Sequence, residues 1–279
     1  MPVTNAGSKE NLPSVAGEFD HSSNPEFFNY YAAESESEAT REHFGRIREL
    51  VLIVATRSHG SRTLKVADIG CGAGTMSCLW AERGHAVSGL DINAPLVELA
   101  RERAAKQGHS IVFDVGSATA LPWADASFDV CLAPELLEHV ADWQGCLDEF
   151  ARILRPGGVL YLSTTNVLCP KQEEFRLPLY SWYPGFVKRR FEQAARTTAP
   201  QLANFATYPA VNWFTHYGLC RELRKRNFVD FLDRFDIASL KSSGPLKRFV
   251  LSAITHVPPC RFGAHVLCEG TMMIAVKQA

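Results

Sequence analysis

The feature that most constrains this chain is a predicted strand that ends in an acid and runs into a glycine-rich turn. Residues 66–74 read Val-Ala-Asp-Ile-Gly-Cys-Gly-Ala-Gly. Such glycines let the backbone approach a ligand and let the next helix pack closely on the strand. Seventeen residues after the last glycine, a second predicted strand ends in Asp91. Its carboxylate can accept hydrogen bonds from both ribose hydroxyls, so the two segments predict a nucleoside-binding site.

The spacing of the glycines separates two classes of ligand. Gly70, Gly72 and Gly74 form G-x-G-x-G, and Thr75, Met76 and Ser77 follow, so the third glycine of a dinucleotide fingerprint is missing. With Asp68 in front, this turn resembles motif I of the class I S-adenosylmethionine (SAM)-dependent methyltransferases. The resemblance implies a Rossmann-like, seven-stranded α/β sheet with SAM as the methyl donor.

Further segments carry the same resemblance across about 64–165 and the C-terminal edge hairpin. They are Gly116 to Trp123, Ala124-Asp-Ala-Ser-Phe-Asp-Val130, the Leu-Glu-His triplet that ends at His139, the Leu-Arg-Pro-Gly-Gly-Val-Leu run that ends at Leu160, and Trp213-Phe214-Thr215. In the family's third motif an aspartate usually bonds the adenine amino group, whereas this chain has Ser117. A serine hydroxyl accepts a hydrogen bond less strongly than a carboxylate. The backbone at 117–118 is the alternative contact to adenine.

The resemblance implies a set of cofactor-binding residues: Asp68, Gly70, Cys71, Gly72, Gly74, Asp91, Ile92, Ser117, Ala118 and Pro134. For Asp68 two roles stay open, contact with the methionyl ammonium or stabilisation of the glycine turn. For Asp91 the ribose role is preferred to capping of the helix that Asn93-Ala-Pro95 opens. Ile92 is placed to cover one face of the adenine.

Glu135-Leu-Leu-Glu-His139 follows the fourth predicted strand and should face the methyl acceptor. This text resembles the Glu-x-Leu-Glu-His of ubiquinone-biosynthesis O-methyltransferases, in which such residues are linked to metal binding and base catalysis. The candidate catalytic residues are therefore His139, Glu138 and Glu135, with His139 as general base. A divalent metal held by the three side chains is the less favoured alternative.

The composition limits the classes of ligand and the cellular locations that the chain is expected to have. The chain has 279 residues, 46% of them hydrophobic, and a net charge of −1, so no global field attracts nucleic acid. Its eight cysteines form no C-x-x-C pair, which argues against a zinc site or a disulfide framework and predicts a cytoplasmic protein. Residues 1–18 lack the apolar core of a signal peptide, and no segment is long and apolar enough to cross a bilayer.

The pattern of predicted elements divides the chain into five parts. We expect a mobile tail at 1–23, a helical lid at 24–60, the SAM-binding core at 61–165, an insert at 166–217 after strand five, and a C-terminal part of the core at 218–279. Core strands are predicted at 65–69, 86–90, 111–113, 128–133 and 158–163, and helices near 74–83, 94–107 and 143–154. The last two strands, about 230–237 and 271–277, should form the edge hairpin.

Two aromatic segments have more than one interpretation. Phe27, Phe28, Tyr30 and Tyr31 predict either a helix packed on the sheet edge, which is preferred, or a lid with a tyrosine near the SAM carboxylate or the acceptor. Residues 175–191 interleave aromatic rings with cations and predict a substrate lid, with a peripheral membrane contact as a compatible alternative. The segment 245–258 also mixes cations with large apolar residues.

The preferred function is O-methylation of a small or lipid-like hydroxyl acceptor, of quinone or phenol type. N- or C-methylation of a metabolite or saccharide is the alternative within the class. An NAD-dependent oxidoreductase should show the third fingerprint glycine and a Tyr-x-x-x-Lys pair, and this chain shows neither. A non-catalytic relative of the fold should lose the glycines and Asp91, which stand intact.

Overall fold

The computed structural model describes residues 25–172, 174–203, 210–241 and 244–279, so the tail predicted at 1–23 lies outside the described residues. Seven strands are present: β1 (Lys65–Ile69), β2 (Ala86–Asp91), β3 (Val112–Val115), β4 (Phe128–Pro134), β5 (Leu154–Thr165), β6 (Phe228–Asp233) and β7 (Gly270–Lys277). They form one sheet in the order β3-β2-β1-β4-β5-β7-β6, in which β7 is antiparallel to both neighbours and the other pairs are parallel. The predicted seven-stranded Rossmann-like sheet is confirmed.

The helices in chain order are α1 (Pro25–Glu34), α2 (Glu38–His59), α3 (Thr75–Ala81), α4 (Ala94–Lys106), α5 (Trp143–Ile153), α6 (Gly185–Thr197), α7 (His216–Arg224), α8 (Arg234–Lys241), α9 (Pro245–His256) and α10 (Pro258–Val266). Among the described residues, no helix is both long and apolar enough to cross a lipid bilayer.

The sheet is buried on both faces because successive strand residues alternate between two cores. In β4, Val130 and Leu132 pack with α2 and α3, whereas Cys131 and Ala133 pack with α5 and α7. Both cores therefore fix the strands, and the carboxyl ends of β1, β2, β4 and β5 meet at one edge. In open α/β sheets this edge is where ligands bind.

Three strands differ from the sequence prediction by two residues or more. The fifth runs over Leu154–Thr165 instead of 158–163. The third strand extends to Val115, where it pairs with Asp91, instead of ending at 113. The sixth strand starts at Phe228 and ends at Asp233, so 234–237 belong to α8 and not to the strand. The physical reason is that the Asp233 carboxylate accepts hydrogen bonds from the amides of Phe235 and Asp236 at 2.8 and 3.0 Å, and so begins a helix there.

Two helical regions lie outside the common sheet. After β5, the described part of the insert contains α6 and short 3₁₀ turns at Tyr180–Trp182 and Pro200–Ala203. Between β6 and β7, α8, α9 and α10 form a connection that the predicted hairpin did not include. These regions surround the edge at which the parallel strands end.

A candidate methyltransferase active site

The glycine turn begins where β1 ends, and all three of its glycines have a left-handed backbone. Their φ angles are +73° at Gly70, +49° at Gly72 and +79° at Gly74, a region that favours glycine. A Cβ at Gly74 would lie 2.8 Å from the Ala100 Cβ, whereas a Cβ at Gly72 would meet nothing within 4 Å. Gly74 therefore allows α4 to pack on the turn, and Gly72 opens toward a cavity.

That cavity has a volume of about 780 Å³ and lies over the carboxyl ends of the strands. Of the predicted cofactor residues, Gly70, Gly72, Asp91, Ile92 and Pro134 line it. A smaller compartment of about 70 Å³ is lined by Gly116, Ser117 and Ala118. The two compartments adjoin, because they share Gly70, Asp91, Ile92, Leu136 and His139.

Asp91 is anchored from both sides at the end of β2. One carboxylate oxygen accepts a hydrogen bond from the Gly72 amide and the other from the Asn93 amide, each at 2.8 Å. The cap of α4 is instead Asn93, whose side chain accepts from the Leu96 amide at 3.1 Å. Helix capping is therefore not the role of Asp91. Each carboxylate oxygen can accept a second donor, as contact with two ribose hydroxyls requires.

Asp68 and Cys71 lie behind the turn rather than along the cavity. The Asp68 carboxylate is fully buried and accepts a hydrogen bond from the Ser77 hydroxyl at 2.6 Å. Burial raises its pKa to about 6. The Cys71 side chain is buried with Val97 and Ala100 of α4, and burial raises the pKa of its thiol well above the usual range. This geometry favours the turn-stabilising interpretation of Asp68.

In the smaller compartment, the third motif contributes one polar side chain, that of Ser117. The Ser117 hydroxyl lies 2.6 Å from the Thr119 hydroxyl and accepts from the Thr119 amide at 3.0 Å. The hydroxyl is thus engaged within its own turn. Recognition of a base through the backbone of residues 117 and 118 fits this arrangement better than recognition through the Ser117 side chain.

The loop after β4 brings the three candidate catalytic residues to different environments. Glu135 is exposed to the cavity and has a strained φ of +47°, which for a non-glycine residue points to a functional constraint. His139 lines both compartments. Glu138 is fully buried behind them, where one of its oxygens accepts from the Thr164 hydroxyl at 2.8 Å.

Several cavity residues were missed in the sequence. They come from the end of β5, the insert and the connection before β7: Thr164, Thr165, Gln172, Glu174, Arg234 and Glu269. Asn212 was missed as well, although it directly precedes the Trp213-Phe214-Thr215 resemblance. Its side-chain amide donates to the carbonyls of Leu137 and Val140 at 2.9 and 2.7 Å, and so clamps the turn that carries His139.

The N-terminal helix forms one wall of the cavity. Tyr30 and Tyr31 line it instead of packing on the sheet edge, which is the lid interpretation of this segment. Although the Tyr31 side chain as a whole is 42% exposed, desolvation of its hydroxyl in the cavity, together with the carboxylates of Glu174 and Asp91, raises its pKa. The helix is held by Arg103, which donates to the Ala32 carbonyl and the Ser35 hydroxyl at 2.7 and 2.8 Å.

The three predicted metal ligands do not come together as one group. The ligand atoms that gather within 4.8 Å of one another belong to Glu138, His139 and Glu174, not to Glu135. Burial raises the pKa of Glu138 well above its usual range, with Glu135 and Glu174 adding to the effect. Because Glu135 is not among these ligand atoms, no step is derived through a metal.

A sheet of this order, with a glycine turn after β1 and a carboxylate after β2, defines the class I SAM-dependent methyltransferase fold. Residues 67–162 match the family model described as "Methyltransferase domain". Residues 67–162 therefore form a methyltransferase domain, as the resemblance to class I SAM-dependent methyltransferases predicted.

Relatives of known name support the same class. A ubiquinone biosynthesis O-methyltransferase from Parvibaculum lavamentivorans is 35% identical over 153 residues, which are 54% of this chain and 56% of the relative. A malonyl-[acyl-carrier protein] O-methyltransferase from Serratia marcescens is 35% identical over 100 residues, 36% of this chain and 38% of the relative. The chain thus spans about half the length, or less, of these curated relatives.

Solved structures show the fold alone. A Haemonchus contortus phosphoethanolamine N-methyltransferase 2, in complex with phosphomonomethylethanolamine and S-adenosylhomocysteine, gives a TM-score of 0.53 at 15% identity, covering 91% of this chain and 60% of that one. The [4+2]-cyclase SpnF gives 0.52 at 18% identity, covering 84% and 81%. Because the same fold carries different chemistries, the acceptor must be argued from the site.

Proposed function

We propose that the protein transfers the methyl group of SAM to a hydroxyl oxygen of a small or lipid-like acceptor, of phenol or quinol type. The observation that carries this proposal is the position of His139 at the junction of the two compartments. An imidazole there adjoins both the expected adenosyl site and the larger space left for an acceptor. The curated relatives whose names include O-methyltransferase support the choice of oxygen.

The residues fit a bound SAM. Asp91 would accept from the ribose, Ile92 would cover the adenine, and the open face of Gly72 would admit the methionyl part, with Gly70, Pro134 and the backbone of Ser117 and Ala118 alongside. The donor supplies an electrophilic methyl group on a sulfonium. The chain's own task is then to hold the acceptor oxygen in line and to exclude water.

Proton transfer is assigned to His139. When SAM is bound, its sulfonium would give up the methyl group to the acceptor oxygen, and the His139 imidazole would take the proton that the acceptor hydroxyl loses. Glu138 acts as a positioning residue, because it joins Thr164 to the turn that holds His139. Glu135, which is exposed in the cavity, would contact the acceptor.

A second candidate is methylation of an amine nitrogen. It is favoured by one specific observation, the carboxylates of Glu135 and Glu174 next to Tyr30, Tyr31 and Trp213 in the cavity lining. Acids with aromatic faces suit an ammonium group. In that case His139 would accept a proton from the amine instead of from a hydroxyl.

The two candidates are separated by measuring S-adenosylhomocysteine release with matched acceptors. We expect turnover with a substituted catechol and none with the corresponding aromatic diamine. His139→Gln should lower kcat by about 10²–10⁴-fold while SAM affinity, measured by titration calorimetry, stays unchanged. Turnover of the diamine alone would establish the nitrogen acceptor. Absence of SAM binding at millimolar concentration would overturn both.

A further inference from the structure

The apolar stripe of α9 faces away from the protein. Leu246, Phe249, Val250 and Val257 are 76, 73, 47 and 43% exposed. Their spacing of three, four and seven residues puts them on one side of a helix, where a surface helix normally turns its apolar face to the core. Leu251, on another side of α9, is the residue that is buried, at 7% exposure.

Two more exposed apolar side chains lie on and just after α10, the helix that contacts α9. Phe262 and the following Leu267 are 49 and 81% exposed. Six of the fifteen exposed large hydrophobic side chains in the described part of the chain therefore lie within 245–267. We call this the α9–α10 surface: Leu246, Phe249, Val250, Val257, Phe262 and Leu267. Single exposed apolar residues are ordinary, whereas a grouped set marks an interaction site.

The charge of this region has one sign. The sequence has no Asp or Glu from 237 to 268, although the whole chain carries a net charge of −1. Lys247 and Arg248 are exposed beside the apolar stripe. Arg261 instead turns to the sheet, where it donates to Asp233 at 3.0 Å and to Asp236 at 2.5 Å. Exposed apolar side chains flanked by cations, with no acid between them, complement an anionic lipid surface.

The α9–α10 surface is tied to the mouth of the active-site cavity. Glu269 and Gly270, which follow α10, line that cavity. The side-chain amide of Asn166, at the end of β5, donates to the carbonyls of His265 and Cys268 at 2.8 and 2.7 Å. A bilayer against α9 and α10 would thus lie near the route by which an acceptor enters.

We propose that the α9–α10 surface docks the protein on an anionic lipid bilayer, with α9 lying in the interface and its apolar stripe inserted. Docking does not depend on which reaction the protein catalyses. We also infer that the acceptor is taken from the bilayer, and this second inference rests on the proposed function. Each apolar side chain would exchange water for the acyl boundary, and Lys247 and Arg248 would approach the headgroups.

The test is co-sedimentation of the full chain with vesicles of phosphatidylglycerol and phosphatidylcholine, against vesicles of phosphatidylcholine alone. We expect pelleting with the anionic vesicles that weakens as salt is raised. The double variant L246S/F249S should lower the partition coefficient by at least about 10-fold. K247Q/R248Q should lower binding at low salt and remove most of the salt dependence. The matched control is Val112→Ser, a 60% exposed apolar residue on β3, which should bind as wild type does.

Three results would overturn docking through this surface. The first is no pelleting with anionic vesicles. The second is loss of pelleting in W182S/F186S of the insert while L246S/F249S pellets normally, which would move the contact to 175–191. The third is a dimer in sedimentation velocity that L246S/F249S dissociates, without vesicle binding. Intact SAM affinity in each variant shows that the fold is retained, so failure of docking is distinguishable from failure of the proposed function.

Discussion

Asp91 is the residue on which the nucleoside site depends. Its two oxygens hold the Gly72 and Asn93 amides and still face the cavity. Asp91→Ala should weaken SAM binding by about 100-fold, since two hydrogen bonds to a charged acceptor are lost. Asp91→Asn, which keeps one carbonyl acceptor, should fall between. Titration calorimetry measures both.

The control for this pair is Asp114→Asn, an acid on the neighbouring strand β3 that lies outside the cavity lining. Its SAM affinity should equal that of wild type. Thermal unfolding without SAM shows whether the glycine turn has been damaged. Unchanged affinity in Asp91→Ala would remove the ribose role and the assignment built on it.

Glu138 offers a residue-scale test of burial. Because its pKa in the folded protein is raised, the folded state holds a proton that the unfolded state releases. Wild-type stability should therefore fall as pH rises above the ordinary glutamate pKa. Glu138→Gln, which mimics the protonated form, should gain on wild type by about 1.4 kcal/mol per pH unit in that window.

Denaturant unfolding from pH 5 to 8 measures this difference. The matched control is Glu98→Gln on α4, whose side chain is 63% exposed and whose stability should follow wild type across the range. A pH-independent difference between Glu138→Gln and wild type would mean that Glu138 is ionised in the folded state. The metal alternative would then have to be reconsidered.

At the scale of elements, α1 forms one wall of the cavity, and two core side chains hold its C-terminal end. Arg103 on α4 binds the Ala32 carbonyl and the Ser35 hydroxyl, and Thr75 at the start of α3 donates to the Ser35 carbonyl at 2.7 Å. Arg103→Gln should free α1, raise amide exchange over 25–36 and weaken SAM binding several-fold, because Tyr30 and Tyr31 no longer close the cavity.

The control is Arg101→Gln on the same helix, since Arg101 donates to the Phe113 carbonyl at 2.5 Å and to Glu98 at 3.1 Å, away from α1. Exchange over 25–36 should not change in this variant. Equal exchange in Arg103→Gln and wild type would show that α1 is held by other contacts, and that Arg103 is not what positions the lid.

The packing of side chains within the insert could not be predicted from the sequence. Phe175, Tyr180, Ala195 and Ala203 form a small core of their own, to which Tyr183 and Trp213 add. Lys188, one of the cations within 175–191, donates to the Ser181 carbonyl at 2.9 Å and lies 4.5 Å from the centre of the Trp213 ring. Trp182 and Phe186 remain exposed. Aromatic and cationic composition alone could not distinguish the side chains that pack inside the insert from those that remain exposed.

For the whole molecule, the sequence predicted the features that depend on neighbouring residues. It missed the contacts that form between residues far apart in the chain. The glycine turn, Asp91 and the order of strands follow from short motifs whose physics acts within a few residues. Asn212 and Thr164 lie 73 and 25 residues from His139 in the sequence, and only the folded chain brings them to the turn that carries His139. Helices α8 to α10 were missed because the edge hairpin was predicted without its connection.

The reactivity of the eight cysteine thiols tests the packing of the whole fold and the exposure of the α9–α10 surface. Cys260, on α10, is exposed, Cys268 is half-buried, and the other six are buried. Burial raises the thiol pKa of Cys71 and Cys131 well above the usual range, which suppresses the reactive thiolate. A chromogenic disulfide reagent should therefore modify about one thiol rapidly in the folded protein and all eight after denaturation.

Cys260→Ser should abolish the rapid phase, and a rapid phase that persists would show that the packing around another thiol is open. Cys260 lies between Val257 and Phe262 of the α9–α10 surface. If that surface meets an anionic bilayer, phosphatidylglycerol vesicles should slow the reaction of Cys260, whereas phosphatidylcholine vesicles should not. Equal rates with both would contradict docking through α10, because a thiol at the interface cannot keep its full exposure to water while its neighbours are inserted.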